Sequence, residues 1–237
     1  MLEELGILEQ SAKEEKTVRA CKKLSESFLA SGRLDAEYYQ PKYDALFSRL
    51  KSFPTSTIGE LAHIQKSIEP GSEAYEEEGI PFIRVSDLSK FGLSETSIHL
   101  DNDIYQEVLK PKKDTILLSK DGSVGIAYKV ENDLDVITSG AILHLSIAGE
   151  SVLPDYLTLV LNSCMVGLQA QRDAGGSIIQ HWKPSEIEDV IIPILPKNIQ
   201  EDLSQKVQKS FALRKESLNL LEEAKTIVER TIEGTLS

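Results

Sequence analysis

The chain has 237 residues, 41% of them hydrophobic, with 26 Lys and Arg against 38 Asp and Glu for a formal net charge of −12. That length holds one large domain or a domain with an appended element, and a charge of this sign excludes a simple basic protein that coats nucleic acid. No apolar run of about 18 residues is present, so no membrane span is expected; Cys21 and Cys164 lie far apart without a CxxC, so neither a disulfide framework nor a structural zinc site is expected.

The charge is unevenly placed. Residues 1–33 hold six basic and six acidic side chains and residues 197–237 hold seven of each, whereas residues 34–196 hold 13 basic and 25 acidic. The whole imbalance falls in the middle. Three parts follow: an N-terminal helical segment (1–33), a middle domain (34–196) and a C-terminal helix (197–237). The start, MLEELGILEQSAKEEK, lacks a signal-peptide hydrophobic region, and a cytoplasmic chain is expected.

Residues 2–30 read as helix, with Val18, Cys21, Leu24 and Phe28 three to four apart and a stop at Ser31-Gly32. Leu2, Leu5 and Leu8 fall out of phase with that set. Residues 34–50 carry a break at Pro41 and then a short helix. Thr57, with Glu60 three residues on, caps a short turn. Strands are expected at 80–85, 115–119, 125–130, 136–147 and 190–195, and Pro193 places the last at a sheet edge. Residues 154–173 read as one helix whose face carries Tyr156, Leu157, Val160, Leu161, Cys164 and Leu168. The mixture predicts an irregular α+β domain.

The last segment is the most regular. Asn198 and Glu201 form a capping-box-like start. From there Val207, Phe211, Arg214, Leu218, Leu221, Lys225, Val228 and Ile232 step by fours and threes, with Leu213, Leu220, Ala224 and Ile227 beside them. Thirty-odd residues make a rod of roughly 50 Å. One alternative packs it on its own domain; the absence of Gly and Pro between 199 and 233 favours a projecting coil that seeks a partner helix.

Catalytic signatures are missing. There is no P-loop, no cofactor-binding glycine turn, no Asn/Asp-Pro-Pro-aromatic run, no nucleophile elbow and no triad. Asp121-Gly122 joins two strands and is a hairpin turn. His63, His99, His144 and His181 are scattered; no catalytic residue, metal or cofactor is assigned. Recognition is left. Arg84 and Ser86 follow one strand, Lys120 and Ser123 sit in the hairpin, and Gln180, His181 and Lys183 lie in a loop that opens on Gly175-Gly176. Arg and Lys suit guanine edges and Gln suits adenine. The same residues also suit ordinary turns, Ser86-Asp87 a helix cap, and Trp182 a core plug.

RLDAEYYQPKYDAL (33–46), GIPFIRVSDLS (79–89), DTILLSKDGSVG (114–125), ITSGAILHL (137–145) and GGSIIQHWKPSEIEDVIIPILPKNIQEDLSQKV (175–207) together resemble the specificity subunits of type I restriction–modification systems. The resemblance covers nearly all of residues 33–237. It implies a non-catalytic target-recognition domain that reads one half of a split sequence in double-stranded DNA. It further implies methyltransferase (modification) subunits, and restriction subunits, as partners. Members typically carry two such domains separated by long helices in an antiparallel coiled coil. This chain has one domain and one helix, which implies a homodimer joined along Val207, Phe211, Leu218, Leu221 and Val228 and reading two inverted half-sites. Because the domain is acidic, a locally positive cleft and weak binding by the isolated chain are expected. The alternative is an acidic decoy that binds methyltransferase subunits without reading bases.

Overall fold

A computed structural model describes residues 19–174 and 180–235. Of the expected helix over 2–30, the described part holds only short turns; Val18 and the earlier leucines lie outside it. Residues 24–26 form a single 3-10 turn and α1 (Phe28–Ser31) one helical turn. The Ser27 and Ser31 hydroxyls bond back to the carbonyls of Lys23 and Ser27, at 2.9 and 3.0 Å, and Leu24 and Leu29 stay exposed. A short helix with nothing to bury its apolar face does not propagate.

After Pro41 the chain behaves as expected: α2 (Pro41–Leu50) begins on the proline and buries Tyr43, Leu46 and Leu50. Strand β1 (Thr55–Thr57) leads into α3 (Ile58–Leu61), where the Glu60 carboxylate accepts from the Thr57 backbone N–H at 3.1 Å. The strand that follows, β2 (Ala62–Lys66), escaped the sequence reading because its inner face holds only Ala62 and Ile64.

The remaining strands are β3 (Ile80–Ile83), β4 (Leu88–Ser89), β5 (Gly92–Leu93), β6 (His99–Leu100), β7 (Ile116–Ser119), β8 (Ala127–Lys129), β9 (Ile137–Thr138), β10 (Ile142–Ile147) and β11 (Ile191–Pro193). The main sheet has the order β2-β10-β7-β8, all antiparallel. A second sheet, β6-β3-β9, pairs β3 with β9 in parallel. The predicted strand over 136–147 is thus two strands in different sheets. They part at Ser139–Ala141, where the Ser139 and Gly140 N–H groups bond Ile83 and Ile68 instead of a continuing ladder. Strand β11 pairs with β1 in a two-stranded sheet, which leaves Pro193 at the expected edge.

The predicted helix over 154–173 is also two: α5 (Pro154–Leu161) and α6 (Cys164–Asp173). Asn162 breaks it. Its amide donates to the Ala127 carbonyl at 2.7 Å and accepts from the Ala127 N–H at 3.2 Å, serving as a ladder partner for β8. Trp182 plugs the main core, 1% exposed, and the Tyr156 hydroxyl donates to the Pro193 carbonyl at 2.6 Å. Short α7 (Pro184–Glu188) precedes β11, and α8 (Lys197–Thr235) closes the chain. Helix α8 starts at Lys197 with the Pro196 carbonyl accepting from Ile199 and Gln200, so Asn198 lies inside it and not before it.

His144 sits in the middle of β10, 1% exposed, with one ring nitrogen 2.7 Å from the Thr138 hydroxyl. Burial lowers its pKa to about 4. The unfolded chain therefore takes up a proton near pH 6.5 that the native protein refuses, and stability falls as pH drops from 6.5 toward 4. We expect His144 alone to remove about 2 kcal/mol between pH 7 and pH 5. Urea midpoints of the protein and of His144→Gln, compared across that range, check it: the variant should show the shallower dependence, and equal slopes would refute it.

Candidate nucleic-acid interface

The strand register collects the predicted reading residues at one rim. Strand β10 begins at Ile142, opposite the last residue of β7, Ser119, and beside the last of β2, Lys66. The bend that feeds β10 comes from β9, which runs parallel to β3 and ends level with Ile83. The exits of β2, β3 and β7 and the entry of β10 therefore share one end of the fold. Arg84 and Ser86 leave β3 there, and Lys120 and Ser123 leave β7.

Gln180 and His181 reach the same rim along the hairpin. The Gln180 carbonyl accepts from Gly122 at 3.0 Å, the Trp182 N–H donates to the Lys120 carbonyl at 2.8 Å, and Asp121 and His181 form an antiparallel bridge. Gly122 takes φ +72°, the left-handed backbone expected of the turn. Below it the Ser119 hydroxyl donates to the Ser123 carbonyl at 2.5 Å and accepts from the Ile126 N–H at 2.9 Å. The loop 175–179 lies outside the described residues. Lys66, which the sequence reading did not include, stands on this rim as the last residue of β2.

Each rim cation faces a carboxylate of its own chain. The Arg84 guanidinium lies 3.8 Å from Asp87, the Lys183 ammonium 3.2 Å from Glu186 and the Lys66 ammonium 3.9 Å from Glu69. Lys120 bonds Asp121, whose other oxygen is 2.9 Å from the His181 ring. Burial by itself would raise the Asp121 pKa, but the bonds from Lys120 and His181 hold it below the usual carboxylate range. The expected locally positive cleft is thus not what these residues form. The cause is local. Arg84 and Lys183 are N-cap residues, and the carboxylates three positions on accept their backbone N–H groups at 2.9 and 3.1 Å. A capping carboxylate so placed also neutralises the side chain of the residue it caps. Ser86, also exposed, donates to Asp87 at 3.2 Å.

Much of the negative charge is sorted to the far end. Glu76, Glu78, Asp101 and Asp103 cluster where β3 begins against β6, and Asp114, Glu131, Asp133 and Asp135 lie where β7 begins and β8 ends. Lys129, in β8, is buried there against Asp155 at 2.7 Å. Burial opposes its charge, yet the Asp155 bond and the nearby Glu131 raise its pKa. Asp155 also accepts from Gln208 of α8 at 2.7 Å, tying sheet, α5 and helix together.

Helix α8 divides in two. Gln200 and Ser204 are buried on the domain, and Val207 and Phe211 are half-buried beside it. Phe211 packs on Phe91 with ring centroids 6.4 Å apart, and the Arg214 guanidinium lies 4.2 Å from the Phe91 ring centre. Beyond this root the rod projects: Leu218, Leu221 and Val228 are 56%, 65% and 58% exposed. Of the predicted seam, two residues dock the helix on its own domain and three are bare. Between the root, α2, α5 and the Phe91 loop lies an apolar cleft of about 840 Å³. Among the described residues no group of three or more His, Cys, Asp and Glu is placed to hold a metal ion, and no helix is long and apolar enough to cross a membrane.

Residues 51–223 match the family model of the type I restriction modification DNA specificity domain. The chain belongs to that family. As a type I specificity domain it is similar in fold to the S subunit of a type I restriction-modification system from M. genitalium, with TM-score 0.51, 20% identity, and coverage of 72% of this chain and 42% of that one. It is also similar to a chain from a structure describing complex assembly and conformational transition of the type I R-M system, with TM-score 0.52, 16% identity, and coverage of 75% and 46%. The HsdS subunit from Thermoanaerobacter tengcongensis gives TM-score 0.50 and 17% identity over 91% of this chain and 46% of that one. The specificity domain thus spans less than half the length of the solved chains it matches. No protein of curated function matches the sequence. The mixed α+β architecture with a long terminal helix agrees with the fold expected from the sequence.

Proposed function

We propose that this chain selects the DNA target of a type I restriction–modification complex: the rim reads one half of a bipartite site, and methyltransferase and restriction subunits assembled on it supply the chemistry. The specificity-domain match over residues 51–223 carries the reading. The rim supports it, because separate chain segments deliver Arg84, Ser86, Lys120, Ser123, Gln180, His181 and Lys183 to one end of the fold. Two copies joined through α8 present two such rims in inverted orientation, with the half-site spacing set by the helices. The chain itself contributes no catalytic residue.

Selection of random duplexes by the chain together with its methyltransferase subunits tests this. One enriched split palindrome is expected; no enrichment supports the decoy reading, which the 25 acidic residues of the domain favour. Within an enriched motif, Lys120→Ala and Gln180→Ala should each relax one position by about tenfold or more, the worth of one lost base-edge contact.

A further inference from the structure

The Asp121 carboxylate holds two donors at the rim. One oxygen takes the Lys120 ammonium, and the other lies 2.9 Å from Nδ1 of His181. The backbone sets the three side chains together: the Gly122 and Trp182 N–H groups bond the Gln180 and Lys120 carbonyls, and residues 121 and 181 stand opposite each other. The Asp121 side chain is 23% exposed and the imidazole 64%, so the inner group governs what the outer one presents. Burial opposes the Asp121 charge, but the bonds from Lys120 and His181 keep its pKa low. An ionised carboxylate only accepts. In the neutral ring the proton therefore sits on Nδ1, which leaves Nε2 as an acceptor. Among the described residues none bonds that nitrogen.

We infer that Asp121 is a positioning residue that makes His181 a reader of exocyclic amines. Nε2 accepts from adenine N6 or cytosine N4 in the major groove and rejects the keto oxygens of guanine and thymine. This rests on the base-reading function proposed above and adds which base edge one of its residues takes. Lys120 makes the setting invertible. Its ammonium only donates, so in Asp121→Asn it claims the amide oxygen and turns the amide nitrogen toward His181. Nδ1 then accepts, the ring proton moves to Nε2, and the same imidazole selects keto oxygens. The main-chain bonds of the hairpin use neither side chain, so the variant keeps the turn.

Two measurements on the full-length chain test it, both at pH 8, where an ordinary imidazole is neutral. The first needs no DNA. Long-range nitrogen–proton spectra, with His181→Ala to identify the ring's signals, should place the proton on Nδ1 in the protein and on Nε2 in Asp121→Asn. A proton on Nε2 in the unsubstituted protein overturns the inference. The second adds the methyltransferase subunits and begins with duplex selection; no enriched motif overturns base reading and this inference with it. In an enriched motif, the position that His181→Ala relaxes is given an amine-free base, purine for adenine or 2-pyrimidinone for cytosine. Affinity should fall by about tenfold or more for the protein and stay level for His181→Ala. Asp121→Asn should exchange amino for keto bases on each strand at that position. If His181→Ala relaxes no position, if the missing amine costs both proteins equally, or if Asp121→Asn keeps the original preference, the inference falls while base reading stands.

Discussion

Replacing Asp87, Asp121 and Glu186 together by their amides should raise affinity for duplexes of any sequence by about tenfold or more and erode discrimination between sites. The side chains of Arg84, Lys120 and Lys183 each lie against one of these carboxylates. The Arg84 and Lys183 pairs have exposed cations and contribute no more than about 1 kcal/mol each, so a phosphate or a base edge displaces them readily, whereas the more enclosed Lys120–Asp121 pair parts less easily; in all three the charge is cancelled until it does. The amide oxygens still accept the N–H groups of Arg84 and Lys183, so the caps persist while three negative charges leave the rim. Binding isotherms at several salt concentrations check this. The triple variant should show a slope steeper by about 0.9 for each cation newly engaged with phosphate. An unchanged slope would mean that the rim does not approach the backbone of the duplex.

The second large effect concerns the joint between domain and helix. Gln200 is 1% exposed; its amide oxygen accepts from the Leu153 N–H at 2.9 Å, and its nitrogen donates to the carbonyls of Ser151 and Leu195 at 3.0 and 2.9 Å. Gln200→Ala strands an amide and two carbonyls, and should cost about 3–5 kcal/mol, since each buried unpaired group costs about 1–3 kcal/mol. Chemical denaturation read from Trp182 fluorescence measures it. Gln200→Glu, which sets a buried carboxylate oxygen against the Ser151 and Leu195 carbonyls, should cost at least as much at neutral pH; a loss under about 1 kcal/mol for the alanine would show that water replaces the bracket.

What the sequence made legible follows how local each cause is. The hairpin at Asp121-Gly122, the Thr57–Glu60 cap, the edge position of Pro193 and the burial of Trp182 are each set by one residue's chemistry, and the structure bears them out. The sequence is silent where a side chain distant along the chain intervenes. Asn162 interrupts a long apolar helix because it is needed by Ala127, 35 residues earlier. Ser139 divides a continuous β-branched run because Ile83 and Ile68 take its neighbourhood's N–H groups. The brackets made by Gln200 and by Gln169, which pins Ile191 through both backbone groups at 2.9 and 3.0 Å, follow no local pattern. The seven rim candidates were drawn from three separate loops, and only the register of β3, β7, β9 and β10 shows that these loops share an end. Their ion pairs are legible in principle, since Arg84–Asp87 and Lys183–Glu186 are each three residues apart.

The same caps bear on how such a protein changes its target. At positions 84 and 183 the carboxylate that holds the turn bonds the main chain, and the side chain there carries no weight in the fold. Residues of many kinds fit such a position, since the turn depends on Asp87 and Glu186 and not on what they cap. Under the proposed function, recognition would therefore drift by single substitutions while the scaffold stays as it is. The residues proposed to read bases would then be replaceable type set in a fixed frame.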